Sequence, residues 1–143
     1  MKVGQIIQDR ASSDIVSISR DQSVADAVRL LAGKRIGALP VMEEGKVVGI
    51  FSERDVIYRL AEEGDACLAH EVGKVMTSPA ITVERATHVD QALALMTKRR
   101  IRHLPVVEGE AMCGFISIGD LVKSRFDEVE HEANALRDYI RTA

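Results

Sequence analysis

The sequence predicts an α+β (α/β) fold: two βαββα repeats packed sheet to sheet about a pseudo-twofold axis, followed by a C-terminal amphipathic helix. Three observations predict it. The chain matches itself at an offset of 65 positions, each copy mixes short apolar runs with helical periodicity, and one copy is too small to bury a core alone. At that offset Gly49, Ser52 and Asp55 meet Gly114, Ser117 and Asp120. Leu39-Pro40-Val41 meets Leu104-Pro105-Val106, and Val24, Ala27 and Leu30 meet Val89, Ala92 and Leu95. Val16–Leu60 aligns with Ile81–Arg125 without a gap.

Taken in order, VSI and ITV read as short strands at the head of each copy. A helix follows, with apolar positions at Val24, Ala27, Val28 and Leu31, matched by Val89, Ala92, Leu93 and Met96. Ser23 is placed to cap the first helix, and Asp90 puts a negative charge in the first turn of the second. LPVM pairs with KVVGIF across the turn EEG, and LPVV with AMCGFI across EGE, which makes two hairpins. A second helix starts after Ser52 and again after Ser117, each a natural N-cap. HEVGKVMTSP resembles the N-terminal VGQIIQ, so each repeat is expected to carry its own short lead-in helix. The whole, residues 1–143, reads as one module, with repeat one at 3–65, repeat two at 70–127 and a helical extension at 128–143.

Composition narrows the function classes. Hydrophobic residues make up 46% and charged residues 29%, with a formal net charge of -3, a globular balance rather than a disordered one. No apolar run reaches membrane-spanning length, and the N-terminus lacks the apolar core of a secretory signal, so a cytoplasmic protein is expected. The two cysteines form no CxxC, and the four histidines show no metal spacing. Aromatics at 3% leave few stacking platforms for single-stranded nucleic acid.

The duplicated Gly-apolar-apolar-Ser-x-x-Asp carries the chemistry. As a cap, each Ser accepts from a free N–H of the first helical turn, and Asp three residues on completes a capping-box-like turn, although Glu or Gln reaches back better. A cap does not require the preceding Gly, which instead permits close backbone approach. A carboxylate one turn into a helix accepts hydrogen bonds from vicinal hydroxyls, and the helix N-terminus favours an anion. Diol, phosphate and an apolar slot together describe a nucleotide.

With LPV preceding each Ser-x-x-Asp, the pattern resembles the CBS domain in tandem (the Bateman module) from about Val3 to Phe126, and is similar to the small stand-alone CBS-pair proteins of bacteria. The resemblance implies a flat disc with two clefts between the repeats that bind AMP, ADP, ATP, NAD(H) or S-adenosylmethionine. It implies a first cleft with Ser52, Arg54 and Asp55 facing Arg102 and His103, and a second with Ser117 and Asp120 facing Gly37 and Ala38. Ser17 and Thr82 match positions that read the base. Arg54, Arg102 and His103, with Arg99 and Arg100 near by, equip the first cleft for phosphate. The second has Gly119, Gly37 and Ala38 where those charges would be, leaving Lys34 and Arg35. The clefts are expected to differ in affinity or ligand, with the first the stronger site.

KRRIRH (98–103) reads as a solvated helix end, as phosphate-contacting, or as nucleic-acid-binding; the negative net charge weighs against the last. No nucleophile–base pair can be assembled, so no enzyme is expected. Phe126, Val129, Ala133, Leu136 and Ile140 recur at spacings of 3, 4, 3 and 4, a heptad seam that either packs back on the module or meets a second copy. The resulting expectation is a regulatory module that binds adenosine-containing ligands, AMP foremost, without metal, nucleic acid or membrane, and acts as a homodimer on an unidentified protein. The alternative is an interaction scaffold with vestigial clefts.

Overall fold

The computed structural model describes residues 1–142. It holds two three-stranded sheets, ordered β1-β2-β3 and β4-β5-β6. In repeat one these are β1 (Ile18–Ser19), β2 (Ala38–Glu43) and β3 (Lys46–Ser52), with helices α2 (Val24–Lys34) and α3 (Glu53–Glu63). In repeat two they are β4 (Val83–Glu84), β5 (His103–Glu108) and β6 (Ala111–Ser117), with α5 (Val89–Arg99) and α6 (Ile118–Thr142). The lead-in helices are α1 (Val3–Ile7) and α4 (Val72–Val75). In both sheets the short first strand runs parallel to the second and the hairpin is antiparallel. β3 and β6 meet across the centre.

The local signals act as their chemistry requires. The Ser23 hydroxyl accepts from Asp26 N, and the Gln91 side chain accepts from His88 N at the start of α5. Glu44 (φ 51°) and Gly45 (φ 78°) both adopt left-handed backbone, the two-residue turn that matches strand twist. The first strands differ from expectation. Pairing starts only at the last apolar residue of each run, so β1 and β4 are two residues long, and Ser17 and Thr82 lie just ahead of them.

Each lead-in helix forms as read but is built into the other repeat. Val3 N donates to Thr87 O (2.8 Å) and Gly4 N to Arg85 O (2.9 Å), which ties α1 to repeat two. Val72 N donates to Gln22 O (2.8 Å) and Gly73 N to Arg20 O (2.9 Å), which ties α4 to repeat one. The two apolar cores follow this exchange. Val3 and Ile7 are buried with Val89, Met96, Leu104 and Ile116, while Val72 and Val75 are buried with Val24, Leu39, Val41 and Phe51. At about 1.5–3 kcal/mol for each large side chain buried, the borrowed lead-ins help hold the two repeats together.

The exchange explains the glycines before the apolar pairs. A Cβ on Gly49 would stand 2.6 Å from Met76 Sδ and 2.9 Å from Thr77 O, and one on Gly114 would stand 2.7 Å from Ile7 Cδ1. Each hairpin carries a bulge at this glycine, so the strand bends around the incoming lead-in.

Candidate functional site

Both Ser-x-x-Asp motifs sit where a hairpin strand turns into a helix, and both are complete capping boxes. Ser52 N donates to Asp55 Oδ2 (2.9 Å) while the Ser52 hydroxyl accepts from Asp55 N (3.4 Å). Ser117 N donates to Asp120 Oδ2 (2.9 Å) and the Ser117 hydroxyl accepts from Asp120 N (3.1 Å). The Asp residues therefore perform the local role that their short side chains appeared unsuited to. In each carboxylate the remaining oxygen points away from the helix, and there the two copies diverge.

At Asp55 the outward oxygen accepts from Thr77 Oγ1 (3.1 Å), and the Ser52 hydroxyl also lies 3.2 Å from Oδ2. Thr77 is positioned by paired backbone bonds with Ile50, both 2.9 Å. Arg54 Nη1 donates to Arg100 O (2.9 Å). Arg100 ends α5 in left-handed backbone (φ 54°), which turns its carbonyl outward, and Arg35 ends α2 the same way. Ser52, Arg54 and Asp55 are thus brought together at this end.

At Asp120 the partner is Arg10, with Nη2 2.9 Å from Oδ1 and Nη1 3.3 Å from Oδ2, a two-pronged ion pair. Burial pushes the Asp120 carboxyl up, but the Arg10 guanidinium and the Ser117 N–H outweigh it and hold it below the usual carboxylate range. The hydrogen bond to Asp120 raises the Arg10 guanidinium in turn. This pair forms the polar end of a cavity of about 270 Å3. Its apolar wall includes Ile7, Ile15, Val16, Ile36, Ala38 and Phe115, and Asp14, His103 and Ser117 complete the rim.

His103 was expected beside Arg54 in the first cleft, but the structure puts it in the wall of the Asp120 cavity, stacked on Phe115 at 5.5 Å between ring centres. Burial pushes its pKa down against the opposing fields of Asp120 and Glu53, and Arg102 adds to the lowering. Strand pairing explains the placement: His103 lies opposite Ser117 on the neighbouring strand. The Arg102 side chain is exposed, and its carbonyl accepts from Ile118 N (2.8 Å). Gly37 was expected in the second cleft beside Ala38, but it lines the neighbouring groove with Arg35 and Glu53 because its carbonyl accepts from Glu53 N (3.0 Å); a Cβ there would meet Glu53 and His103. Ala38 lines the same cavity as Asp120. Ser17 and Thr82 are exposed at the feet of β1 and β4, next to Val16 and Ile81.

The second cleft was expected to draw its cations from Lys34 and Arg35 alone, and at Asp120 the structure places Arg10 instead. Sequence reasoning missed Arg10 and Asp14, although a signal existed. The lead-ins VGQII and VGKVM align at an offset of 69, against 65 for the repeat bodies, so copy one has four extra residues before its first strand. That stretch contains a 3₁₀ turn (Ser12–Asp14) and walls the cavity with Ala11, Asp14 and Ile15. The first cleft has Pro79 where Arg10 aligns.

Comparison with known proteins agrees with this architecture. The family model "CBS domain" matches residues 3–62 and 72–127. A CBS domain-containing protein, CBSX3 of Arabidopsis thaliana, described as mitochondrial, is 37% identical over 126 residues, 85% of this chain. The match spans 61% of that relative's length. The crystal structure of the CBS domain pair of protein MJ0100, in complex with 5-methylthioadenosine and S-adenosyl-L-methionine, superposes with a TM-score of 0.76 at 25% identity, covering 90% of this chain and 98% of that one. The crystal structure of CBSX2 in complex with AMP gives a TM-score of 0.75 at 25% identity, with 88% and 96% covered.

Proposed function

The chain belongs to the CBS domain family, and from that premise we propose that it is a regulatory, non-catalytic module that senses adenosine-containing ligands, AMP foremost, in the clefts beside Asp55 and Asp120. ATP, ADP, NAD(H) and S-adenosylmethionine are the competing ligands. The same proposal has it act in the cytoplasm as a homodimer on a partner protein. The observation that carries the ligand reading is Asp120, a carboxylate at a helix N-terminus that closes the polar end of an apolar cavity. At about 270 Å3 this space is slightly below the ~300–1,000 Å3 of typical ligand pockets and suits a nucleoside or its monophosphate better than a dinucleotide.

A ribose diol donates two hydrogen bonds. A carboxylate offers about four lone-pair sites, and three are already taken in each motif: by Ser52 N, Ser52 Oγ and Thr77 Oγ1 at Asp55, and by Ser117 N and two Arg10 nitrogens at Asp120. Ligand entry therefore displaces one partner, a neutral hydroxyl in the first cleft and a guanidinium prong in the second. In the second cleft the released prong is free for a phosphate oxygen, and the first turn of α6 feels the exchange. Ligand shifts the module only insofar as it binds one arrangement better than another.

The test is thermal unfolding with AMP, ADP, ATP, NAD, NADH and S-adenosylmethionine at millimolar concentration, with GMP as control. A ligand at 100 times its dissociation constant stabilises by about 2.7 kcal/mol, a shift of several degrees. Asp55→Asn and Asp120→Asn assign the clefts: loss of a hydrogen bond to a charged group weakens binding by about 1.5–3 kcal/mol at the cleft used. Arg102→Ala should weaken AMP more than adenosine, and equal losses would remove Arg102 from the phosphate site. The scaffold reading is favoured by the fact that three of the roughly four acceptor sites on each carboxylate are already taken from within the chain. No shift with any of these ligands, in protein free of carried-over nucleotide, would turn the reading toward the scaffold.

A further inference from the structure

α6 runs for 25 residues, yet its buried residues, Leu121 and Ser124, lie within its first two turns. Its last ties to the rest of the chain are Arg125 to Asp90 (3.6 Å) and Glu128 to the N-terminal ammonium (3.3 Å). Among the described residues, the hydrogen bonds of the turns beyond Glu128 stay within the helix. The seam read from the sequence therefore does not pack back on its own module. Phe126 is 71% exposed, Leu136 60% and Ile140 64%, with Val129 and Val122 on the same stripe.

We infer that this distal stripe forms a parallel two-stranded coil with the α6 of a second copy. The inference rests on the homodimer reading and adds where the copies meet and in which direction. With Phe126, Ala133 and Ile140 at positions a and Val122, Val129 and Leu136 at positions d, the flanking g positions hold Arg125 and Glu132 and the e positions hold Glu130 and Arg137. In a parallel pair each g residue faces the e residue five positions on in the partner. Arg125 then faces a glutamate and Glu132 an arginine, and twofold symmetry repeats both pairs.

An antiparallel pair that covers the whole seam instead sets g against g and e against e. Glu132 then meets its own copy, Glu130 meets its own copy, and Lys123 meets Arg137, all like charges. The charge pattern thus selects the occupant, since this helix complements itself, and it selects the parallel direction. Arg125 is already engaged with Glu128 (3.1 Å) in its own chain, so the Glu132–Arg137 pair carries more of the selection. Fewer than three heptads do not hold as an isolated coil. Exposed Ile57 and Tyr58 on α3 add apolar surface on the module itself.

The test uses the full chain in two measurements. In the first, Leu136→Cys is oxidised at low protein concentration. A parallel coil places the two d-position cysteines within disulfide reach and gives a covalent dimer on non-reducing gels, while the unmodified chain, with Cys67 buried and Cys113 half-buried, gives none. In the second, dimer dissociation constants are measured by sedimentation for Glu132→Arg, Arg137→Glu and the double swap at low salt. Each single swap should weaken the dimer several-fold, and the double swap should restore it. A dimer that forms without cross-linking and ignores all three swaps overturns the coil but leaves the homodimer. A chain monomeric at high concentration overturns both.

Discussion

Arg10→Met removes the guanidinium beside Asp120 but keeps an unbranched stem against the cavity wall. Two charge-assisted bonds are lost, and Asp120 retains the Ser117 N–H. Charge-assisted bonds contribute about 1.5–3 kcal/mol when desolvated, but the Arg10 side chain is 45% exposed, so screening brings the expected loss to about 0.5–1.5 kcal/mol. For a chain of this size that lowers the unfolding midpoint by about 2–5 °C. The loss has a pH signature. The folded Asp120 pKa is depressed, so its contribution is present above the unfolded value of about 3.9 and is lost as pH falls through the folded value. The assay is chemical unfolding at pH 7 and well below pH 4, with Asp120→Asn as a second background. Arg10→Met should destabilise at pH 7, much less at acid pH, and hardly at all when Asp120 is already Asn. Equal losses in all three settings would mean that the ion pair is incidental and Arg10 acts only through its stem.

Two further predictions test the architecture. Gly49→Ala forces a Cβ against the carbonyl oxygen of Thr77, a residue held to Ile50 by one backbone bond in each direction, so unfolding in urea should show a loss of about 1–3 kcal/mol. Gly114→Ala meets only the Ile7 side chain and should lose less; the reverse ranking would contradict the lead-in exchange as described. His103→Gln should flatten the pH dependence of stability in the window just below the unfolded histidine value of about 6.5. The folded His103 pKa is lowered, so stability is fully present above the unfolded value of about 6.5 and declines as pH falls through that window toward the folded value. Parallel pH curves for the two proteins would show that His103 is not held neutral by its site.

What the sequence determined on its own is what depends on near neighbours. The duplication, the hairpins, the Ser23 cap and both Ser-x-x-Asp turns are settled by residues within a few positions, and period and capping chemistry report them directly. The heptad stripe on α6 was equally legible, because helical spacing reveals an apolar face wherever that face points. Only the tertiary structure decided which surfaces those elements meet. Exchange of α1 and α4 between the repeats, the seating of Arg10 on Asp120 across 110 residues of chain, and the move of His103 into the second cleft all depend on how strands pair and loops close. Two repeats of the same local architecture offer each lead-in two similar docking grooves, so no local signal distinguishes them. The choice falls to packing: Gly49 leaves room for Met76, Gly114 leaves room for Ile7, and the four extra residues after α1 let Arg10 reach a carboxylate that Pro79 cannot serve.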